Sequence, residues 1–387
     1  MRKAYERSKI YEKEDFHKFK EENVFWLRDY AMFMAIKSRF GGDSFDKWAE
    51  DIRLRWGYSM EYYQTELYYE IEFHEYVQYE FYKQWFKLKK YANDRQISII
   101  GDIPIYVAYD SADVWAHPEL FQMDVEGKPQ AVAGCPPDGF SATGQLWGNP
   151  LYRWDYHKQT GYDWWIRRIE KSSQLYDVIR IDHFRGFDQY YSISADAKDA
   201  ISGHWEDGPG IDLFDAIKAK LGDVKIIAED LGYITASVKK LVKDTGFPNM
   251  KVLEFAFDSR DSSGPMEYLP YNYDKNCVVY TGTHDNETLL GWLNSILPEE
   301  IEMIKEYIGK DISDKNVLAD EIIRMAHAST ANLCVIPIQD YLNLDNRARM
   351  NTPSTLGDNW KWRAIQQQLD KKLIERIRKY TVLYGRK

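Results

Sequence analysis

The sequence predicts an α/β chain of the TIM (β/α)8-barrel type with long insertions, in which about six βα units are visible. Three observations predict it. Short apolar runs recur at about 97–103, 177–182, 225–229, 251–257, 276–281 and 332–338. Helix-patterned stretches, such as Thr235 to Lys243, Glu299 to Ile308 and Glu321 to Ala328, separate most of them. Such alternation means parallel strands joined by right-handed crossovers. Finally, three runs lead to an acid. These are Val178-Ile179-Arg180-Ile181-Asp182, Lys225-Ile226-Ile227-Ala228-Glu229, and Cys277-Val278-Val279-Tyr280 continuing through Thr281-Gly282-Thr283-His284 to Asp285. A parallel barrel gathers the C-terminal ends of its strands at one mouth, so acids far apart in sequence can meet there. The plainer alternative makes each acid the N-cap of the helix that follows.

Taken in order, residues 1–96 are helix-patterned without a convincing strand. Asp15 to Lys37 carries Phe16, Phe19, Val24, Phe25, Leu27 and Met32 near helical spacing, and Glu61 to Tyr91 continues as a long aromatic amphipathic helix. The expected organisation is a helical segment, 1–96, packing on a catalytic barrel remainder, 97–387. The stretch Ala133 to Trp154 is rich in Gly, Pro, Asn and Trp, and reads as an irregular functional loop over the barrel mouth.

Composition narrows the function classes. The net charge is −10 with basic residues scattered among acids, which argues against a nucleic-acid partner. The charged start, Met1 to Glu6, leads into no apolar signal core, and no stretch reaches the length of a membrane span. The expectation is a cytoplasmic chain without a membrane partner. Cys135, Cys277 and Cys334 lack metal-ligand spacing, and the last two sit in apolar runs as expected reduced core thiols. No metal and no organic cofactor are expected. Aromatics are abundant, but they serve as core filler as well as sugar platforms, so they decide nothing.

Converging carboxylates suit glycoside chemistry, which needs an acid, a nucleophile or base, and support for a cationic transition state. Arg180 lies two residues before Asp182, on the same strand face, where a guanidinium would orient the carboxylate as a nucleophile requires. Glu229 ends an apolar strand, a setting that suits a general acid; Asp230 beside it reads as a cap for the next helix. His284 and Asp285 stand together without a second His or Cys at ligand spacing, so they read as a pair that grips hydroxyls. No Gly-x-Ser-x-Gly elbow supports a serine hydrolase.

These segments resemble the 4-α-glucanotransferases called amylomaltases, relatives of the α-amylase superfamily. The matching strings are Gly101 to Ala108, Asp110 to Trp115, Pro136-Pro137-Asp138, Phe140-Ser141 and Thr143 to Tyr152, then the acid-bearing segments. Lys251 to Phe257, Pro337-Ile338-Gln339-Asp340, Arg349 to Pro353, Asn359-Trp360 and Trp362-Arg363 follow in family order. The resemblance implies Asp182 as nucleophile, Glu229 as acid/base and Asp285 as the third carboxylate. It implies Arg180 and His284 beside the scissile sugar, Asp138, Gln145 and Trp147 on the acceptor-side loop, and Asn351 at a further subsite. Retaining double displacement on maltooligosaccharides, glucose and starch- or glycogen-derived glucans is the implied activity. The family's Trp-Gln…Leu-Pro and Ser-Pro-Tyr strings do not occur. The expectation is therefore an N-terminally truncated barrel whose six strands are the family's third to eighth, with a missing N-terminal polypeptide as a partner. Two rivals stay open: a retaining α-glucan hydrolase, and a glucan-binding chain inactive without those strands.

Overall fold

The computed structural model describes residues 1–137, 141–232, 234–259, 265–353 and 355–386. They form two compact units, Met1–Ile226 with Ile234–Thr245, and Ile227–Tyr233 with Gly246–Lys387. Ten strands are present among the described residues: β1 (Ile100–Pro104), β2 (Ala131–Cys135), β3 (Gln145–Pro150), β4 (Val178–Asp182), β5 (Gln189–Ser194), β6 (His204–Asp207), β7 (Ile226–Ala228), β8 (Asn249–Val252), β9 (Cys277–Tyr280) and β10 (Leu333–Val335). No helix among the described residues is long and apolar enough to cross a membrane.

The first unit opens with helices and no strand before β1. The helix read over Asp15 to Lys37 is two helices, Glu14–Glu22 and Val24–Arg39. Buried Asn23 divides them, because its Nδ2 donates to the Phe19 carbonyl at 2.7 Å while its Oδ1 accepts from Trp26 Nε1 at 3.1 Å. An Asn side chain competing for backbone partners is a common cause of such breaks. The aromatic helix is likewise split, into Gly57–Glu66 and Tyr68–Asn93. Phe16, Phe19, Leu27, Tyr76 and Tyr79 close a core between these helices. The long helix then docks through Trp85 Nε1, which donates to the Leu175 carbonyl at 2.8 Å, and through Asn93, which donates to Asp177 at 2.8 Å. Asp177 also accepts from the Ile99 N–H at 2.7 Å, so one carboxylate ties the helix end to the chain entering β1.

β1 and β4 pair in parallel with Asp102 opposite Arg180 and Pro104 opposite Asp182. β4 then receives the approach to β7, as the Ile179 N–H donates to the Lys225 carbonyl at 2.9 Å. An antiparallel sheet in the order β3-β2-β5-β6 stands beside this pattern. It corrects the reading of Ala133 to Trp154 as irregular, since the end of β2 and all of β3 lie there and pair as an antiparallel hairpin. The glycine-rich composition has a packing cause: a Cβ on Gly134 would collide with the Gln145 carbonyl across the hairpin. Tyr191 and Ile193 of β5 bury Val132 and Ala200, and that apolar contact comes from a strand remote in sequence.

In the second unit the Ala228 N–H donates to the Pro248 carbonyl at 2.9 Å, which sets β7 beside β8. β8, β9 and β10 follow as neighbouring parallel strands. All four residues of β9 are buried, and Leu289, Leu293, Ile304, Leu318 and Ile322 of the following helices cover it. Burial of each large aliphatic side chain here is worth about 1.5–3 kcal/mol. All six strands are shorter than the runs read, and two are cut by a helical turn. After Val252 the chain turns into a 3-10 helix, Leu253–Phe257, and after β10 it enters the helix Ile338–Tyr341. An apolar run of this length has no periodicity that separates a buried strand from a buried helical turn. The six strands β1, β4, β7, β8, β9 and β10 thus each overlap one of the six runs read in the sequence, β8 by only two residues.

Candidate active site

Each of the three acids stands at or beyond the C-terminal end of a parallel strand. Asp182 is the last residue of β4, Glu229 directly follows β7, and Asp285 lies beyond β9. In the first unit Arg180 bridges two acids, with Nη2 at 3.0 Å from Asp182 Oδ1 and Nη1 at 2.7 Å from Asp102 Oδ1. The guanidinium side chain is 8% exposed, whereas Asp182 is 41% and Asp102 39% exposed. The cation is therefore fixed from below while both carboxylates remain open to an incoming molecule. The Arg180–Asp182 pair follows from the strand's period of two. Asp102 was not anticipated, because it enters through the register of β1 on β4.

His183, next to Asp182, has a left-handed backbone (φ 53°), uncommon for a residue with a side chain. Desolvation and the Arg185 charge hold its imidazole neutral, down to about 3. Its ring meets Trp147 edge-on, with centroids 4.8 Å apart. Trp147 Nε1 in turn donates to Gln145 Oε1 at 3.0 Å. β3 therefore brings Trp147 of the expected acceptor-side loop against the neighbour of Asp182, with Gln145 bonded behind it. Asp138, expected with them, lies outside the described residues.

The second unit holds the other two acids. Glu229 is 8% exposed and accepts from the Leu231 N–H at 2.8 Å through Oε1. Asp230 is not a helix cap. Its carboxylate turns inward and accepts from the Met250 N–H at 3.0 Å and from Asn249 Nδ2 at 3.3 Å, tying the end of β7 to β8. Burial raises its pKa against those donors. Thr235 takes the cap role instead, accepting from the Val238 N–H at 3.3 Å.

Asp285 has a set of partners drawn from two segments. Asn351 Nδ2 donates to its Oδ1 at 2.6 Å, His284 Nε2 lies 3.3 Å from its Oδ2, and Arg349 Nη2 donates to its backbone carbonyl at 2.6 Å. Trp360 packs against the His284 ring at 5.1 Å. The His284–Asp285 pair read in the sequence is in place, and Asn351, expected at a further subsite, is brought onto Asp285 itself. Arg349, Glu254 and Asp340 had no assigned role, although they lie in the strings quoted above. An acid inside an apolar run, as in Leu253-Glu254-Phe255, is the signal that could have singled out Glu254.

Comparison with known proteins adds a family to this geometry. A family model for 4-alpha-glucanotransferases, glycoside hydrolase family 77, matches residues 1–367. The 4-alpha-glucanotransferase of Clostridium butyricum is 48% identical over 388 residues, covering 100% of this chain and 79% of that protein. The Thermus thermophilus enzyme of the same name is 43% identical, over 95% of this chain and 74% of its own length. Among solved structures, the amylomaltase of Streptococcus agalactiae in complex with acarbose superposes with a TM-score of 0.91 at 42% identity, covering 96% of this chain and 74% of that one. The Corynebacterium glutamicum amylomaltase, 19% identical with a TM-score of 0.72 over 95% of this chain and 56% of its own, shares the fold. On the family match over residues 1–367, these identities and the fold shared with the Streptococcus agalactiae amylomaltase, this chain belongs to the 4-alpha-glucanotransferase family of glycosyltransferases acting on α-1,4-glucans.

Proposed function

We propose that the chain transfers α-1,4-glucan segments between maltooligosaccharides by a retaining double displacement, with Asp182 as nucleophile, Glu229 as acid/base and Asp285 as the third carboxylate. In the first step an Asp182 oxygen attacks the anomeric carbon and the glycosidic bond breaks. The leaving 4-oxygen takes a proton from Glu229. In the second step the acceptor 4-hydroxyl attacks the glucosyl ester, Glu229 takes its proton, and Asp182 leaves as the carboxylate. Asp285 grips sugar hydroxyls and stabilises the oxocarbenium-like transition state, with His284 and Asn351 holding it and Arg180 orienting the nucleophile. Gln145, Trp147 and Asp138 receive the acceptor, and free glucose is the shortest one.

The observation that carries this reading is buried Arg180, held by Asp102 through one arm and gripping open Asp182 with the other. A cation this deeply buried, with both ends of its guanidinium already paired, is placed to orient the carboxylate and not to recruit an anion from solution. The expected division, a helical segment at 1–96 and a catalytic portion at 97–387, is retained as part of the proposal. A cytoplasmic place in carbohydrate metabolism fits the thiols of Cys277 and Cys334, both raised to about 11 by burial and suited to a reducing compartment.

Maltotriose incubated with the chain should give glucose, maltopentaose and longer products, and Asp182→Asn should abolish them. Near-wild-type transfer by that variant would remove Asp182 from the nucleophile's role. A net gain of reducing ends would instead identify a hydrolase.

A further inference from the structure

After β9 the chain runs from Thr281 to Thr288 before its next helix, Leu289–Ser295, and His284 and Asp285 stand on that stretch. Asp340, in the helix beyond β10, reaches both ends of it. Its Oδ2 accepts from Thr281 Oγ1 at 2.6 Å, and its Oδ1 accepts from the Leu289 N–H at 2.8 Å. Asp340 is 2% exposed and Thr281 0%, so neither contact competes with water. Within the loop so closed, Asn286 Oδ1 accepts from the Thr283 N–H at 2.9 Å and from its hydroxyl at 2.8 Å, and the Asp285 N–H donates to Thr283 Oγ1 at 3.2 Å. The loop also packs closely on Glu254, since a Cβ on Gly282 would lie 2.8 Å from Glu254 Oε1.

We propose that Asp340 is a positioning residue for Asp285: its carboxylate clasps the two ends of the loop and thereby fixes where the third carboxylate stands. The inference rests on the role given to Asp285 above. Electrostatics agree with the geometry. Two buried carboxyls, Glu254 and Asp340, lie near one another here; Glu254 has the Asn286 side chain as a donor, whereas Asp340 has both a backbone and a hydroxyl donor aimed at it. Those donors oppose burial and leave it at about 6, charged at neutral pH. Burial together with the Asp340 and Glu287 charges pushes Glu254 well above the carboxylate range, so it holds a proton. The negative charge thus resides on the residue that closes the loop.

The test uses the full chain, maltotriose disproportionation, and rates expressed per folded molecule with the folded fraction read from thermal melts. Asp340→Ala and Thr281→Val should each lower kcat by about 10- to 100-fold, the scale of an ångström-sized misplacement, while KM moves by less than about threefold. Asp340→Asn should recover activity to within about threefold of wild type, because its amide can still accept from Leu289 and can donate to the Thr281 oxygen. A role in stability alone would lower the melting temperature and leave kcat per folded molecule unchanged, and that result overturns the proposal. An Asn variant as slow as the Ala variant overturns it too. Should Asp340→Ala not fold, Thr281→Val decides alone. Asp285→Asn, measured alongside, keeps the two ideas apart. Near-wild-type transfer by it removes the role of Asp285 itself, whereas its loss beside unaffected Asp340 and Thr281 variants removes only the clasp.

Discussion

Arg180 shows how much one side chain can be asked to do. It is buried, yet both its partners remain substantially hydrated. Breaking a fully buried pair costs about 3–5 kcal/mol because the remaining charge is stranded. Here the stranded carboxylates keep water, so Arg180→Met should cost only about 1–3 kcal/mol of stability by urea unfolding. Transfer should fall far more, by about 100-fold or beyond, as expected when a reacting group loses its orientation. Arg180→Lys should recover little, since an ammonium lacks the fork that spans Asp102 and Asp182. Glu254 supports a second prediction. Its folded-state pKa is raised, so the folded chain binds a proton that the unfolded chain releases, and stability falls as pH rises above the ordinary glutamate range. Glu254→Gln should flatten that fall, measured as urea midpoints at pH 5 and pH 8. The Arg180–Asp182 pair was legible because two residues apart on a strand means the same face. Asp102 and Asp340 were not, since their partners are supplied by strand register and by a loop closing on a distant helix.

At the scale of elements, the hairpin β2–β3 matters most, because Gln145 and Trp147 ride on it. At Gly134 an added Cβ would collide with the Gln145 carbonyl and crowd Ile193 Cδ1. Gly134→Val should cost about 1–3 kcal/mol as an overpacked contact, visible as a lowered melting temperature. On the proposed acceptor role of Trp147, it should also raise KM for glucose as acceptor in transfer assays, with less effect on donor use. An unchanged acceptor KM would separate the hairpin from acceptor binding. The sequence pattern hid this hairpin because its residues are poor in local strand signals. β5, more than forty residues on, supplies the apolar face that makes them a sheet. The opposite error occurred at Leu253–Phe257, where a strongly apolar run continued as a 3-10 helix. There the Glu254 N–H donates to the Thr281 carbonyl at 3.2 Å, a tertiary partner that no local pattern announces.

For the molecule as a whole, acid should be the sensitive direction in the first unit. His157 is wholly buried, with Nε2 3.2 Å from the Leu120 carbonyl, and desolvation lowers its pKa from 6.5 to about 4. A lowered histidine binds fewer protons folded than unfolded. Its contribution is therefore fully present above pH 6.5 and is lost as pH falls toward 4, up to about 3 kcal/mol. Urea unfolding at pH 7 and pH 4.5 should show that loss, and His157→Gln should reduce it. By itself the sequence determined that six short apolar runs alternate with helices and that three of them deliver acids at their C-terminal ends. Periodicity and burial are local properties, so they can be read along the chain. The tertiary structure alone decided what surrounds each acid: Asp102 across from Arg180, Trp147 against His183, Asn351 on Asp285 and Asp340 across the loop beneath it. Such contacts join residues 36 to 78 positions apart. They exist only once register and loop closure have brought those positions together, and no local pattern carries that information.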